Sequence, residues 1–82
     1  MLERSSFPIA KIYVTSKRAK TLDPEKVEAI AYDIMENGQT TPIQLRADGD
    51  RFVLIEGLHR LEAIRALGEE MIEGVLVRAR LH

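Results

Sequence analysis

The segment from Glu56 to Ala63, with the sequence EGLHRLEA, carries the residue types best suited to chemistry. It follows the apolar run FVLI and has the composition of a helix start. Gly57 allows a sharp turn or a close approach of the backbone to a ligand. The N–H groups of a first helical turn carry partial positive charge, and His59 and Arg60 add donors at the same end. These features predict a small anion site, most simply for phosphate.

Each of these residues also has a purely structural interpretation. Arg60 could pair with Glu56 or Glu62 on the helix surface, as helical arginines commonly do. An arginine in the first turn opposes the helix dipole unless an anion is close, however, and its planar guanidinium can hold phosphate oxygens bidentately. His59 alone would be an ordinary surface or hydrogen-bonded residue. Gly57 could be a turn glycine, which is compatible with binding because the turn exposes the amides.

The first half of the chain predicts a strand and a long helix that could position this site. Residues 8–14, PIAKIYV, are β-branched and aromatic enough for a strand, and residues 15–21 form a polar, basic connection. Asp23 is the predicted N-cap of the helix and Pro24 its first residue. Gly38 is the predicted cap at its end. The apolar residues on its predicted inner face are Val27, Ile30, Ala31, Ile34 and Met35.

The second half predicts a hairpin, a second helix and a final strand. Apolar and polar residues alternate over 43–47, Asp48-Gly49 indicates a tight two-residue turn, and residues 51–55 return as a strand. The second helix is predicted from about Leu58 to Leu67 and capped by Gly68. Its predicted inner stripe consists of Leu61, Ile64 and Leu67. The final strand is predicted from about Gly74 to Arg80, with Val75, Val77 and Ala79 on one face.

This order of elements, β-α-β-β-α-β, predicts an α+β fold in which one mixed sheet packs against two main helices. We expect a single domain over residues 1–82. The predicted core consists of Val27, Ile30, Ile34, Ile43, Leu45, Leu54, Leu61, Ile64 and Val77.

The composition excludes several classes of function. The chain has no cysteine, which removes disulfides, thiolate metal sites and thiol chemistry. Its 12 basic and 13 acidic residues give a formal charge of −1, without the basic excess of a dedicated nucleic-acid binder. No apolar run approaches the roughly 18 residues of a membrane span, so we expect a cytoplasmic protein without a membrane partner. We find no Walker loop, no metal-ligand spacing and no serine-histidine-aspartate arrangement.

Three motifs in order along the chain resemble the ParB/sulfiredoxin superfamily. Residues 22–30, LDPEKVEAI, look like the first-helix opening of sulfiredoxins. Residues 36–38, ENG, followed by residues 41–43, TPI, resemble the helix-to-strand passage of ParB proteins. Residues 57–63, GLHRLEA, are similar to the glycine-x-x-arginine box of both branches. The resemblance implies the mixed-sheet fold and a box that binds nucleotide phosphates, which are those of CTP in ParB proteins and of ATP with magnesium in sulfiredoxins.

The chain departs from this pattern at informative positions. Leu58 stands where sulfiredoxins have a cysteine, which excludes sulfinic acid reduction by their mechanism because no thiol can attack an activated sulfinate. His59 and Arg60 stand where ParB boxes usually show two arginines. Ala29 and Asp33 replace hydroxyl contacts of sulfiredoxins. The helical segments that read DNA and dimerise in ParB proteins do not follow the box here, so we expect a free-standing module.

The box and the resemblance together assign candidate residues to three roles. The candidates for nucleotide or phosphate binding are Gly57, Leu58, His59, Arg60, Lys26, Thr40 and Thr41. The basic cluster of Lys17, Arg18 and Lys20 is either a solvated loop or a contact for DNA or phosphate. The acids best placed to serve as a base or to contact Mg²⁺ carried by a nucleoside triphosphate are Glu56, Asp33 and Glu36, and no catalytic residue is assigned.

Two hypotheses of function remain open at the level of sequence. In the first, the chain is a ParB-like module that binds CTP or ATP and serves DNA partition, plasmid biology or regulation, with DNA or a DNA-binding protein as its partner. In the second, it is an enzyme of the same superfamily, namely an ATP- or NTP-dependent phosphotransferase, an NTP hydrolase or a nuclease. The first predicts binding with little turnover, and the second predicts a measurable product. The sequence does not distinguish the nucleotides or predict an oligomeric state.

Overall fold

Five strands form one mixed sheet within residues 3–78, the part of the chain that the computed structural model describes. The strands are β1 (Arg4–Pro8), β2 (Ile12–Tyr13), β3 (Ile43–Asp48), β4 (Arg51–Glu56) and β5 (Met71–Leu76). Their order across the sheet is β1-β5-β3-β4-β2. The β1–β5 and β3–β4 pairs are antiparallel, whereas the β3–β5 and β2–β4 pairs are parallel. The predicted α+β class with a mixed sheet is therefore confirmed.

Three α-helices accompany the sheet in the described region, namely α1 (Ser16–Ala19), α2 (Pro24–Asn37) and α3 (Leu58–Ala66). The start of α2 is the predicted one, because the Asp23 carboxylate accepts a hydrogen bond from the Glu25 N–H at 3.0 Å. Helix α3 begins directly after Gly57. None of the helices within residues 3–78 has the length and apolar character needed to cross a membrane.

The N-terminal strand was predicted at the wrong place. Strand β1 ends at Pro8, residues 9–11 form a 3₁₀ turn, and only Ile12 and Tyr13 of the predicted strand pair with β4. The Ile9 N–H bonds to the Glu70 carbonyl at 2.9 Å, which turns the chain away from a continuous ladder. Strand β1 was not predicted because its first three residues are polar and exposed, so apolar and polar residues do not alternate along it.

The hairpin and the final strand differ from prediction by small shifts. Asp48 pairs with Arg51 across the β3–β4 hairpin, so the turn lies one residue later than predicted. Strand β5 begins at Met71, three residues before its predicted start at Gly74. Gly74 lies inside the strand, where a Cβ would be 3.1 Å from the Ile43 side chain. Val77 follows β5, and the predicted strand residues Ala79 and Arg80 lie outside the described residues.

The core lies between the sheet and α3. Its most deeply buried side chains are Ile43, Leu45, Leu54, Leu61 and Ile72, four of which the sequence predicted. Helix α2 has no fully buried residue, because it packs chiefly against α3 rather than onto the sheet. Met35, predicted on its inner face, is 67% exposed. The predicted core residues that are only half-buried are Val27, Ile30, Ile34 and Val77.

Candidate anion-binding site

A pocket of about 370 Å³ opens at the start of α3. Its walls are formed by the end of β4, the first turn of α3, the first two turns of α2, and α1 with its connection to α2. The structure thus brings the predicted box together with Lys26 and with one member of the basic cluster. The lining residues are Arg18, Thr21, Lys26, Ile30, Glu56, Gly57, Leu58, His59 and Arg60.

The first turn of α3 supplies uncapped backbone donors to this pocket. Gly57 is the N-cap, and it makes no side-chain hydrogen bond to the helix. The first bond within the helix runs from the Leu61 N–H to the Gly57 carbonyl at 2.9 Å. The N–H groups of the preceding residues have no partner inside a helix, because helix geometry leaves the first turn unsatisfied. These residues, Leu58, His59 and Arg60, all line the pocket.

Gly57 is required by both the backbone and the packing at this turn. Its φ of +111° is a conformation that side-chain-bearing residues rarely adopt, and a Cβ there would lie 2.6 Å from Cγ2 of Ile43. Ile43 is fully buried at the start of β3 and cannot withdraw easily. The close approach that the sequence predicted at Gly57 is therefore made to the core of the protein, and this packing sets where the α3 amides emerge.

The pocket is positively charged although the chain carries a formal charge of −1. Three cationic side chains line it, those of Arg18, Lys26 and Arg60, against the single carboxylate of Glu56. None of the salt bridges formed within residues 3–78 involves any of these three cations. The arrangement therefore leaves positive charge available to an anion.

The structure excludes a salt bridge between Arg60 and Glu62, one of the two carboxylates proposed as its partner. Glu62 pairs with Arg65, with 3.8 Å between Oε2 and Nη2, rather than with Arg60. Glu56, the other proposed partner, lines the same pocket but forms no salt bridge with Arg60 in the described part of the chain. Arg60 thus lies in the first turn of α3, against the helix dipole and without a salt-bridge partner in the described part of the chain.

The backbone of Arg18 is held by two threonine hydroxyl groups. Helix α1 is capped by Thr15, whose Oγ1 accepts from the Arg18 N–H at 3.3 Å. Thr21 donates its hydroxyl hydrogen to the Arg18 carbonyl at 2.7 Å and also lines the pocket. The predicted connection is therefore a short ordered helix. Thr21 was not predicted as a pocket residue, because only Thr15, which precedes SKRAK, is a capping signal in the sequence.

His59 uses one ring nitrogen in a way that the sequence did not predict. Its Nε2 lies 3.0 Å from the backbone nitrogen of Asp23, the N-cap of α2, and accepts the hydrogen bond from that N–H. Because an acceptor nitrogen carries no proton, we assign the imidazole proton to Nδ1. In this arrangement Nε2 is therefore not free to donate to a phosphate, and the predicted role of His59 as a phosphate donor stays a prediction that only Nδ1 could fulfil.

Thr40 and Thr41, which were predicted to contact the nucleotide, do not line the pocket. The loop that contains them is tied to β5 by Gln39, whose side-chain amide donates to the Glu73 carbonyl and accepts from the Glu73 N–H, both at 2.9 Å. The same amide donates to the Thr41 carbonyl at 3.1 Å. Gln39 thus pairs with β5 just before β3 begins and holds the loop beside that strand.

Two of the candidate acids and two of the candidate lysines also lie outside the pocket. Asp33 accepts from Asn37 Nδ2 at 3.0 Å, and it stands seven residues, or about 10 Å of helix rise, beyond Lys26. Glu36 lies still further along α2. Lys17 and Lys20 do not line the pocket either, although Lys17 lines an adjoining depression.

The pocket does not form a metal site from protein ligands alone. No group of three or more histidine, aspartate or glutamate side chains within residues 3–78 is arranged to hold a metal ion. Glu56 is the one carboxylate in the pocket. Magnesium commonly keeps several waters and binds one or two carboxylates together with substrate phosphates. Glu56 is therefore the one lining residue with a carboxylate that could contact an Mg²⁺ ion carried on phosphates.

One comparison with known proteins gives a family for this chain, and another gives its fold. A family model described as the ParB N-terminal domain matches residues 3–81. A search of curated protein sequences gave no match. Among solved structures, sulfiredoxin from Arabidopsis thaliana superposes with a TM-score of 0.83 at 25% identity, over 94% of this chain and 86% of that one.

Two further solved structures share the fold at 18% identity. One is the C-terminally truncated chromosome-partitioning protein ParB from Caulobacter crescentus, complexed with CTP-gamma-S, with a TM-score of 0.82 over 95% of this chain. The other is a free serine kinase in complex with AMP, with a TM-score of 0.80 over 93% of this chain. The chain spans only 46% of that ParB chain and 31% of that kinase.

The turn at Gly57 yields a stability prediction with an internal control. Gly57→Ala adds a clash with Ile43 to the backbone strain, so we expect a loss of about 2–5 kcal/mol, the sum of about 1–2 for the strain and about 1–3 for overpacking. Gly68→Ala, just past the other end of α3, meets no atom within 4 Å at a φ of +83°. It should lose only the strain of about 1–2 kcal/mol. Urea titration measures both, and equal losses would mean that Ile43 does not constrain the turn.

Proposed function

The chain belongs to the ParB N-terminal domain family, and from this membership we propose that its pocket binds the phosphate groups of a nucleotide. The observation that carries the proposal is the convergence of Arg18, Lys26 and Arg60 on the uncapped start of α3. Backbone N–H groups and the helix dipole favour an anion at that end, and the three cations surround it.

The number and kind of the donors favour a polyphosphate. Arg60 can bind two oxygens of one phosphate through its planar guanidinium, and Lys26 acts as a point charge. Arg18, from α1, extends the positive charge away from the helix start. We therefore propose a nucleoside triphosphate, either CTP or ATP, whose phosphates lie between α1, α2 and α3. The CTP analogue in the ParB neighbour and the adenine nucleotide in the kinase neighbour support these two candidates.

We propose that nucleotide binding serves DNA partition, plasmid biology or regulation rather than turnover. The support is family membership together with the chromosome-partitioning neighbour. In this proposal the chain acts in the cytoplasm, and DNA or a DNA-binding protein is the partner that responds to the nucleotide. Mg²⁺ enters with the phosphates, as the single carboxylate of the pocket allows.

An enzymatic function is the second candidate, and Glu56 is the observation that favours it. This carboxylate lies in the cationic pocket, where it could contact the Mg²⁺ of a nucleotide or accept a proton. A phosphotransferase, an NTP hydrolase or a nuclease would then use the same phosphate site. If so, chromatography should detect a product with Mg²⁺, and Glu56→Gln should abolish it while binding persists. A wild-type chain that binds but forms no product would eliminate this candidate.

The binding proposal predicts a large effect at Arg60 and almost none at a neighbouring arginine. We expect Arg60→Ala to weaken nucleotide binding by about 1.5–3 kcal/mol, or roughly 10- to 150-fold, the worth of a hydrogen bond to a charged group. Arg65→Ala removes an equal charge from the same helix at a position that does not line the pocket. It should change affinity by less than twofold. Isothermal titration calorimetry with CTP and with ATP, each with Mg²⁺, measures both effects.

Stability provides the control for this experiment. Arg60→Ala should leave the unfolding midpoint without ligand unchanged or slightly higher, because a first-turn arginine gains nothing from the helix dipole. The nucleotide should raise the midpoint of the wild type by linkage and that of the variant much less. Equal affinities of the wild type and Arg60→Ala would place the anion site elsewhere and refute the proposal.

We propose that any direct contact with DNA is made by the basic cluster and is non-specific. Three phosphate contacts, through Lys17, Arg18 and Lys20, give a slope of log K against log salt of about −2.7 on duplex DNA. In fluorescence anisotropy, replacing both lysines by alanine should reduce the slope to about −0.9. Arg51→Ala is the control, since that side chain is already engaged by stacking on Tyr13 and by a salt bridge with Asp48. A nanomolar, sequence-specific complex at physiological salt would contradict this proposal.

A further inference from the structure

The N-terminus of α2 has half of a capping box. In that motif the N-cap side chain accepts from the N–H three residues later, and a glutamate or glutamine at that later position accepts from the N-cap N–H. The Asp23 carboxylate caps α2 by accepting from the Glu25 N–H at 3.0 Å, one residue earlier than in the motif. The residue three positions after Asp23 is Lys26, whose ammonium group has donors and no acceptor. The second part therefore cannot come from α2 itself.

His59 supplies the missing acceptor from a different helix. Its Nε2 accepts the Asp23 N–H at 3.0 Å across 36 residues of sequence, in a partly buried position. The donor belongs to the N-cap of α2, and the acceptor is the second residue of α3. The hydrogen bond thus joins the starts of the two helices that carry Lys26 and Arg60, both of which line the pocket.

We propose that His59 is a positioning residue that completes the capping box of α2 from α3 and thereby frees position 26 for a cation. A glutamate or glutamine at position 26 would cap α2 locally but would remove a positive charge from the pocket. With the acceptor on His59, the chain keeps both the cap and Lys26. The capping role stands on the geometry alone, whereas the benefit to the pocket rests on the proposed nucleotide function.

This role differs from that of a phosphate-binding cation in what it demands of position 59. A capping role demands an unprotonated acceptor, and a role as phosphate ligand demands a donor or a charge. Glutamine provides an amide oxygen near the place of Nε2 without charge. Arginine provides charge and donors without an acceptor. His59→Gln and His59→Arg therefore separate the two roles.

A double-mutant cycle between His59 and Lys26 tests the capping role by urea titration. We expect His59→Leu to raise the unfolding constant by roughly 2- to 12-fold, the worth of one net hydrogen bond. His59→Arg should cause a similar loss, and His59→Gln should largely avoid it. In a Lys26→Gln background, which restores a local acceptor, His59→Leu should have little effect. An equal effect of His59→Leu in both backgrounds would overturn the proposal. Greater stability of His59→Arg than of His59→Gln would also overturn it.

Nuclear magnetic resonance of the wild type tests the same bond without relying on variants that fold. Long-range ¹⁵N–¹H correlations at mildly alkaline pH should show Nδ1 protonated and Nε2 unprotonated, and the Asp23 amide should be protected from exchange. A proton on Nε2, or an unprotected Asp23 amide, would overturn the capping role.

Titration with ATP and with CTP separates this inference from the function on which it partly rests. Loss of nucleotide affinity in Lys26→Gln, with the fold and the cap intact, supports the role of position 26. Affinity equal to that of the wild type would overturn it. If neither nucleotide binds the wild type while the cycle shows the expected coupling, the nucleotide function fails and the capping role stands.

Discussion

The packing of Ile43 against Gly57 is the constraint on which the rest of the structure depends. Ile43 is fully buried at the start of β3, and its side chain leaves no room for a Cβ at Gly57 and only a tight fit, at 3.1 Å, for one at Gly74 in β5. Strand β3 thus sets how closely β5 can pack beside it and the point at which β4 turns into α3. Since the amides of the first turn begin at this point, the core of the protein determines the position of the candidate anion site.

The pocket built on this turn is electrostatically costly in the absence of an anion. Arg60 opposes the dipole of α3, and Lys26, in the first turn of α2, opposes the dipole of that helix. Neither cation is neutralised by a salt bridge within residues 3–78. A bound polyphosphate would reverse each of these costs, so ligand binding and stability should be closely linked. The hydrogen bond from Asp23 to His59 keeps the two helix starts together at this charged junction.

The parts of the fold that follow from local rules could be predicted from the sequence. Asp23-Pro24 marked the start of α2, and Gly57 marked the start of α3, because caps and turns act over a few residues. Strand β1 could not be predicted in the same way, since its exposed polar residues show no pattern and it is defined by pairing with β5. The acceptor role of His59 and the attachment of the Thr40–Thr41 loop by Gln39 depend on partners more than 30 residues away. Contacts of this kind leave no periodic signal.

The central claim is that the start of α3 binds the phosphates of a nucleotide, and an NMR titration of amide shifts tests it most directly. Spectra of the ¹⁵N-labelled chain are recorded with CTP, with ATP and with the matching nucleosides. We expect the triphosphates to shift the amides of Leu58, His59 and Arg60 first and most, and the nucleosides to leave them unchanged. Shifts confined to other surfaces, such as the apolar groove beside Met35 and Met71, or equal shifts with the nucleosides, would contradict the claim.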